Sequence, residues 1–123
     1  FFQPSALDRN SAIGTYAIFA PENLERVRTG FAEELSGAVK DGFTDAEVKA
    51  AKEGVMQERR LARTEDGRIA GALANQLYLD RTFATSGAVD AAIEKLTTQD
   101  VNATLRKYVK PADFAFAFAG SFK

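Results

Sequence analysis

Alternating and helical spacings of apolar residues divide the chain into strands at its two ends and helices between them. In residues 11–20, Ile13, Thr15, Ala17 and Phe19 share one face at period two, and Tyr16 and Ile18 share the other. That pattern predicts a strand. The turn-like residues 4–10 before it make Phe1-Phe2 the end of a strand paired as a hairpin. Pro21-Glu22-Asn23 opens a helix, because proline at the first turn lacks an N–H that had no partner there. Leu24, Val27, Phe31, Leu35 and Val39 follow at spacings of three and four, and Asp41-Gly42 ends the helix.

Thr44-Asp45-Ala46-Glu47 is a capping-box sequence, in which hydroxyl and carboxylate satisfy orphan amides reciprocally. The helix it starts is predicted to run to about Thr64, with Val48, Ala51, Val55 and Ala62 as its apolar stripe and Asp66-Gly67 as its break. A third helix carries Ile69, Ala70, Leu73, Ala74 and Leu77, with small residues that permit close approach on its packing side. A loop is expected at residues 82–87, then a short helix with Val89, Ala92, Ile93 and Leu96. Thr97-Thr98-Gln99-Asp100 is a second capping box, and Val101, Leu105, Tyr108 and Val109 line the helix after it. Pro111 stops that helix.

The last segment, Phe114-Ala115-Phe116-Ala117-Phe118-Ala119, puts Phe on one face and Ala on the other. With both faces apolar, it predicts a central strand covered on two sides. The expected class is therefore α+β: helices packed on a small, incomplete antiparallel or mixed sheet, in the order β-α-α-α-α-α-β. Two or three strands are few for so many helices. Residues 1–123 then form a single partial domain, with the remaining strands upstream in a parent chain or on a partner. The opening Phe1-Phe2-Gln3-Pro4, with neither Met nor a basic leader, reads as a cut inside that longer chain.

Composition narrows the function. Of 123 residues, 46% are hydrophobic and 27% charged, an ordinary globular balance that excludes disorder as the main reading. Lys and Arg number 16 against 17 Asp and Glu. Nucleic acid and membrane surfaces both select a cationic excess, so neither is expected as a partner. No apolar run approaches the roughly 20 residues that span a bilayer. Histidine and cysteine are both absent. This chain therefore supplies no Cys or His zinc ligand, no Ser-His-Asp triad, no thiolate nucleophile and no disulfide.

The remaining candidate chemistry has a plainer reading beside it. Arg59, Arg60 and Arg63 form the densest basic stretch and suggest a phosphate contact, or an acidic group on a partner domain for one of the three. Glu58, Glu65 and Asp66 flank them without interleaved aromatics, so a solvated helix face with local ion pairs is expected. Glu33-Glu34 and the group Asp41, Asp45 and Glu47 lie on polar helix sides or at helix starts, where the macrodipole favours anions. Asp8-Arg9-Asn10 opens like a calcium loop, but Ala12 and Ile13 stand where an oxygen ligand and Gly are required. Asn102-Ala103-Thr104 is a formal glycosylation sequon inside a predicted helix, and a chance match. Gly67 and Gly71 make no phosphate loop, and Ser36 lacks a nucleophile-elbow context. Tyr78, between Asn75 and Arg81, suggests a cleft residue or a boundary residue with its hydroxyl in water.

Four passages in order resemble the C-terminal end of the pitrilysin-type zinc metallopeptidases, the family of insulin-degrading enzyme and the mitochondrial processing peptidases. Residues 14–24 resemble its strand followed by a "-PEN-" helix start, and residues 40–52 its "GFT" turn and helix. Residues 68–74, running on to Tyr78 and Arg81-Thr82-Phe83, form the third passage. Residues 96–103, with Tyr108 and the closing strand, form the fourth. The resemblance implies helices on a mixed sheet, and a parent built as a clamshell of related domains that cleaves peptides with zinc. This chain would be the C-terminal subdomain of that parent, a non-catalytic chamber wall. Its partners would be the upstream half of the parent or a catalytic partner subunit, with self-association through an exposed strand edge. An exported or periplasmic bacterial setting is also implied.

The departures are as informative. The family's H-x-x-E-H signature is impossible without His. The family also holds substrate with an Arg and a Tyr seven residues apart, a spacing that Arg9 and Tyr16 reproduce. However, Ile13-Gly14-Thr15 replaces the Gly-Leu that precedes the family's Tyr. No catalytic, cofactor-binding or metal residue is therefore carried over, and zinc is implied for the parent alone. Two other readings stay open: a non-catalytic scaffold or assembly subunit of the same fold, and a free-standing protein-interaction module.

Overall fold

Pro21, Thr44 and Thr97 mark where three of the helices start. The computed structural model describes residues 1–121. It contains α1 (Leu24–Asp41), α2 (Asp45–Ala62), α3 (Asp66–Tyr78), α4 (Ala84–Lys95) and α5 (Thr98–Tyr108). A single 3-10 turn, Pro21–Asn23, leads into α1, and another, Pro111–Asp113, follows α5. Helices α2 and α5 begin one residue after Thr44 and Thr97, as the two capping-box sequences predict. The chain is mostly helical with one antiparallel strand pair, so α+β holds only in a loose sense.

The chain divides into two units: Phe1–Gly14 with Asp45–Thr97, and Thr15–Thr44 with the residues from Thr98 onward.

In the first unit, β1 (Phe2–Gln3) pairs antiparallel with β2 (Ala12–Ile13), with Phe2 opposite Ile13 and Gln3 opposite Ala12. The expected hairpin is present. The Phe1 amine donates to the Gly14 carbonyl at 2.7 Å, and the Gly14 N–H returns a bond to the Phe1 carbonyl at 3.0 Å. In the turn, Asp8 Oδ1 accepts from the Ser5 hydroxyl and from the Asn10 N–H. These bonds make a side-chain turn of the residues that superficially open a calcium loop.

Helix α2 ends at Ala62, two residues before the predicted limit, and the break falls at residues 63–65 instead of Asp66-Gly67. Its inward side differs from the predicted stripe. Val48 and Met56 are buried and Lys52, Arg59 and Arg63 half-buried, whereas Ala51 and Val55 are exposed. The stripe Val48, Lys52, Met56, Arg59 and Arg63 has helical spacing but mixes apolar with cationic residues. Long basic side chains cover apolar neighbours with their methylene stems and keep their heads at the edge.

Helix α3 also presents a different side from the one predicted. Ile69 is half-buried, but Leu73 is exposed and Leu77 is 80% exposed. The inward line runs through Ile69, Gln76 and Leu79 instead. The expected loop at residues 82–87 is shorter, because α4 already begins at Ala84. Helix α3 closes in a Schellman arrangement. The Arg81 N–H reaches the Gln76 carbonyl at 2.8 Å and the Asp80 N–H reaches the Leu77 carbonyl at 3.1 Å, with Asp80 at φ 52°.

In the second unit, Leu24, Val27, Phe31, Leu35 and Val39 are all half-buried along α1, as their spacing predicts. Val109, the residue after α5, is buried. Tyr108, predicted to line α5 inward, is exposed instead.

The two long strands expected at residues 11–20 and 114–119 do not form. The first is a strand only at Ala12–Ile13, because β1 offers only two residues to pair with. The second belongs to no sheet, and among the described residues no strand pairs with it. Its Phe face packs on α1 instead. Phe31 meets Phe114 and Phe116 edge-on, each at 5.8 Å between ring centroids. A strand pattern states which side chains share a face, and a ladder needs a neighbouring backbone as well.

Candidate functional site

In the first unit, a cluster of charged and polar side chains draws α2 and α4 together. Arg59 and Arg63 stand one turn apart on α2, and Ser86 and Asp90 stand one turn apart on α4. The Arg59 Nε donates to Asp90 Oδ1, and Arg63 Nη2 lies 2.6 Å from Asp90 Oδ2. Each carboxylate oxygen thus takes a different guanidinium. Arg59 Nη2 also donates to the Ser86 carbonyl at 3.1 Å and to its hydroxyl oxygen at 3.3 Å, and Arg63 Nη2 donates to the same hydroxyl oxygen at 3.0 Å. The Asp90 side chain keeps 17% of its surface exposed, and those of Arg59 and Arg63 about 30%.

The Arg59 guanidinium hydrogen-bonded to Asp90 holds its carboxyl below the usual carboxylate range; partial desolvation opposes this, and Arg63 adds to the lowering. The expectation of a solvated basic face is therefore corrected for two of the three arginines. Arg59 and Arg63 turn inward to an acid of the neighbouring helix in the same unit, while Arg60 is exposed. Arg68 makes the local surface pairs, to Glu58 at 3.8 Å and Glu65 at 3.6 Å.

Two turns earlier on α2, Lys52 Nζ donates to the Glu94 and Leu96 carbonyls, both at 2.8 Å. These carbonyls lie at the C-terminal end of α4, where a cation meets the negative pole of the helix and its unsatisfied acceptors.

The second unit has a parallel arrangement. From α5, Arg106 Nε donates to the Val39 carbonyl at 3.1 Å, and Nη2 approaches the Lys40 carbonyl at 3.4 Å, at the C-terminal end of α1. One turn before it, Asn102 accepts from the Phe43 N–H at 2.8 Å and donates to the Phe43 carbonyl at 3.0 Å. The side-chain amide thus replaces a strand neighbour for that residue. Gly42 beside it has φ 79° and ψ −175°, and an added Cβ would lie 2.8 Å from the Asn102 amide carbon. Only glycine suits this position, on both backbone and steric grounds. The sequon residue Asn102 is thereby committed to a structural bond.

The other sequence candidates are scattered. Glu33, Glu34, Asp41, Asp45 and Glu47 are exposed on or beside helices, and Ser36, Gly67 and Gly71 are exposed on theirs. Arg9 is exposed, Tyr16 is 81% exposed and Tyr78 is 76% exposed. Tyr78 therefore faces water. Sequence reasoning missed Lys52, Ser86 and Asp90. The signal lay in two i, i+4 pairs, Arg59 with Arg63 and Ser86 with Asp90, but nothing in the spacing says that the two pairs face each other.

Chemically, the α2–α4 cluster is a neutralising clamp. Its carboxylate is held ionised by two fixed cations, the reverse of the raised value that a general acid requires. Among the described residues, no three His, Cys, Asp or Glu side chains group to hold a metal ion, and no helix is long and apolar enough to cross a membrane. No family model, curated protein or solved structure matches this chain.

Proposed function

We propose that the chain is a non-catalytic portion of a pitrilysin-like zinc metallopeptidase, forming chamber wall and packing surface for a metal-bearing half elsewhere. Three things support this reading. The first is the ordered set of four sequence passages, from the "-PEN-" helix start to the closing Phe/Ala segment. The second is the lack of any His for a zinc site in this chain. The third, and the one that carries it, is apolar surface at helical and extended positions that a self-sufficient domain would cover. Leu73, Leu77 and Tyr78 stand exposed along α3, and Tyr16 and Ile18 along the extended segment before α1, Ile18 at 95%. Rows of large exposed apolar side chains mark surfaces that pack against something else.

In this reading the clamp of Arg59, Arg63 and Asp90 orders α2 against α4, so that α3 offers its Leu73–Leu77 side outward as a preformed face. The chain contributes shape and stability to the parent, and the parent's own ligands do the chemistry on a bound peptide. The test is made on the native protein that contains this sequence, purified intact. The expected result is a chain of several hundred residues with stoichiometric zinc and peptide cleavage that a chelator abolishes. A long chain that lacks zinc, and whose cleaving partner holds the metal, replaces this reading with a scaffold subunit. A native product of only this length, with no partner, overturns both in favour of an interaction module.

A further inference from the structure

Residues 10 and 11 pose a chemical question that is independent of the peptidase reading. Asparagine is thermolabile where the next backbone nitrogen is free to attack its side-chain amide. The chain has four asparagines: Asn10, Asn23, Asn75 and Asn102. After Asn23, the Leu24 N–H is given to the Pro21 carbonyl. Gln76 and Ala103 follow the next two and lie inside α3 and α5, where backbone N–H groups bond one turn back. Asn102 is also held by Phe43 through its own amide. Asn10 differs. It is exposed in the hairpin turn, and so is Ser11 after it. The hairpin register fixes where the Ser11 nitrogen points. Phe1 and Gly14 exchange both backbone bonds, Phe2 faces Ile13 and Gln3 faces Ala12. Bonded and non-bonded pairs alternate along an antiparallel ladder, so Gln3 and Ala12 form a bonded pair and Pro4 and Ser11 do not. The Ser11 N–H therefore points away from the paired strand. The Ser11 side chain is small and engaged elsewhere, its hydroxyl oxygen accepting from the Ser5 N–H at 3.0 Å.

We propose that Asn10–Ser11 is a site of spontaneous deamidation whose isoaspartate product unlatches the hairpin. The Ser11 nitrogen gives its proton to hydroxide and attacks the Asn10 Cγ. The N–Cγ bond forms, the Cγ–Nδ2 bond breaks, and Nδ2 leaves as ammonia with a proton from water, which regenerates hydroxide. Water then opens the cyclic imide. Opening at Cγ gives aspartate at position 10. Opening at the main-chain carbonyl gives isoaspartate, whose backbone runs through Cγ. Nothing is oxidised or reduced. The isoaspartate lengthens the backbone by a methylene between Arg9 and Ser11. That displaces Ser11 from the Ser5 N–H and slides Ala12 and Ile13 against Gln3 and Phe2. Each strand has only two residues, so no further rungs hold the register.

The test is timed incubation of the full 123-residue chain at mildly alkaline pH, folded and in denaturant. Peptide mass spectrometry reads each asparagine, with isoaspartate resolved from aspartate. In the folded chain, product should accumulate first at position 10, at close to the rate in denaturant and faster as hydroxide rises. The three other asparagines should react measurably only once denaturant frees the nitrogens after them. Asn10→Gln, whose longer side chain must close a larger ring, should give no product at position 10. Hydrogen exchange on the separated fractions reads the hairpin. The Gln3 and Ala12 amides should lose protection in the isoaspartate chain and keep it in the aspartate chain. Position 10 intact in the folded chain while it reacts in denaturant overturns the proposal, as does a helical asparagine that reacts first. An isoaspartate chain whose Gln3 and Ala12 amides exchange like those of the intact chain overturns it as well.

Discussion

The unit built on α2, α3 and α4 is tied by charge, and the unit built on α1 and α5 is tied by rings and backbone bonds. In the first, two guanidinium groups share one carboxylate and an ammonium seats the end of α4. In the second, Phe31 holds the Phe114 and Phe116 rings, and Asn102 pins the Phe43 backbone. Both units nonetheless use one device: a basic side chain from one helix caps the C-terminal carbonyls of another. Lys52 does so for α4 and Arg106 for α1. The difference teaches where each unit is vulnerable. Ion pairs at partly exposed positions respond to pH and salt. Ring contacts and glycine-dependent turns respond to volume and backbone geometry instead.

The sharpest way to break the comparison is Phe31→Ala. It removes both edge-on contacts and should cost about 2–3 kcal/mol, less than for a fully buried ring because Phe31 is half-exposed. Denaturant unfolding followed at α1 amides measures it, and a loss under about 0.5 kcal/mol would show that the rings do not close this unit. Gly42→Ala comes next. At φ 79°, ψ −175° with Asn102 in the way, the new methyl should cost about 2 kcal/mol. Asn102→Ala should cost about 1–2 kcal/mol through two lost bonds to Phe43, read in the same assay. If it costs as little as a surface change, the turn is held by glycine geometry alone.

The charged unit makes its own prediction. The Asp90 carboxyl is lowered from its ordinary value of 3.8, chiefly by Arg59, so folding favours its ionised form. Its contribution to stability is complete above that ordinary value and is lost as pH falls through the lowered folded value. Asp90→Asn should flatten this acid limb and leave α1 and α5 with the pH response of the parent chain. Hydrogen exchange across an acid series reads both units at once, and an unchanged acid limb at α2 and α4 would remove the clamp from the account. The smallest effect is a gain. Asp80→Gly relieves a left-handed residue in the Schellman turn after α3 and should stabilise by about 0.5 kcal/mol.

Local chemistry was legible in the residues. Pro21, Thr44, Thr97 and Pro111 place helix boundaries because each acts on the backbone within one turn, and the structure has its helices there. Gly42 was legible for the same reason. The hairpin followed from a turn between two short extended stretches. The candidate site was hardly legible. Arg59 and Arg63 read as surface charges because a helical wheel shows their own helix and no other. The acid that neutralises them lies 31 and 27 residues further along the chain, a distance at which no local pattern speaks.

Sequence by itself thus determined that five helices form and where several of them start, the absence of His and Cys chemistry, and which side chains share a face. Only tertiary structure decided which faces were met. It turned Arg59 and Arg63 inward, left Leu73 and Leu77 outward on α3, and set the rings of Phe114 and Phe116 against Phe31. The physical reason is range. Capping, glycine conformations and side-chain periodicity act over a few residues, whereas an ion pair, a ring contact or a strand partner exists only once distant segments arrive.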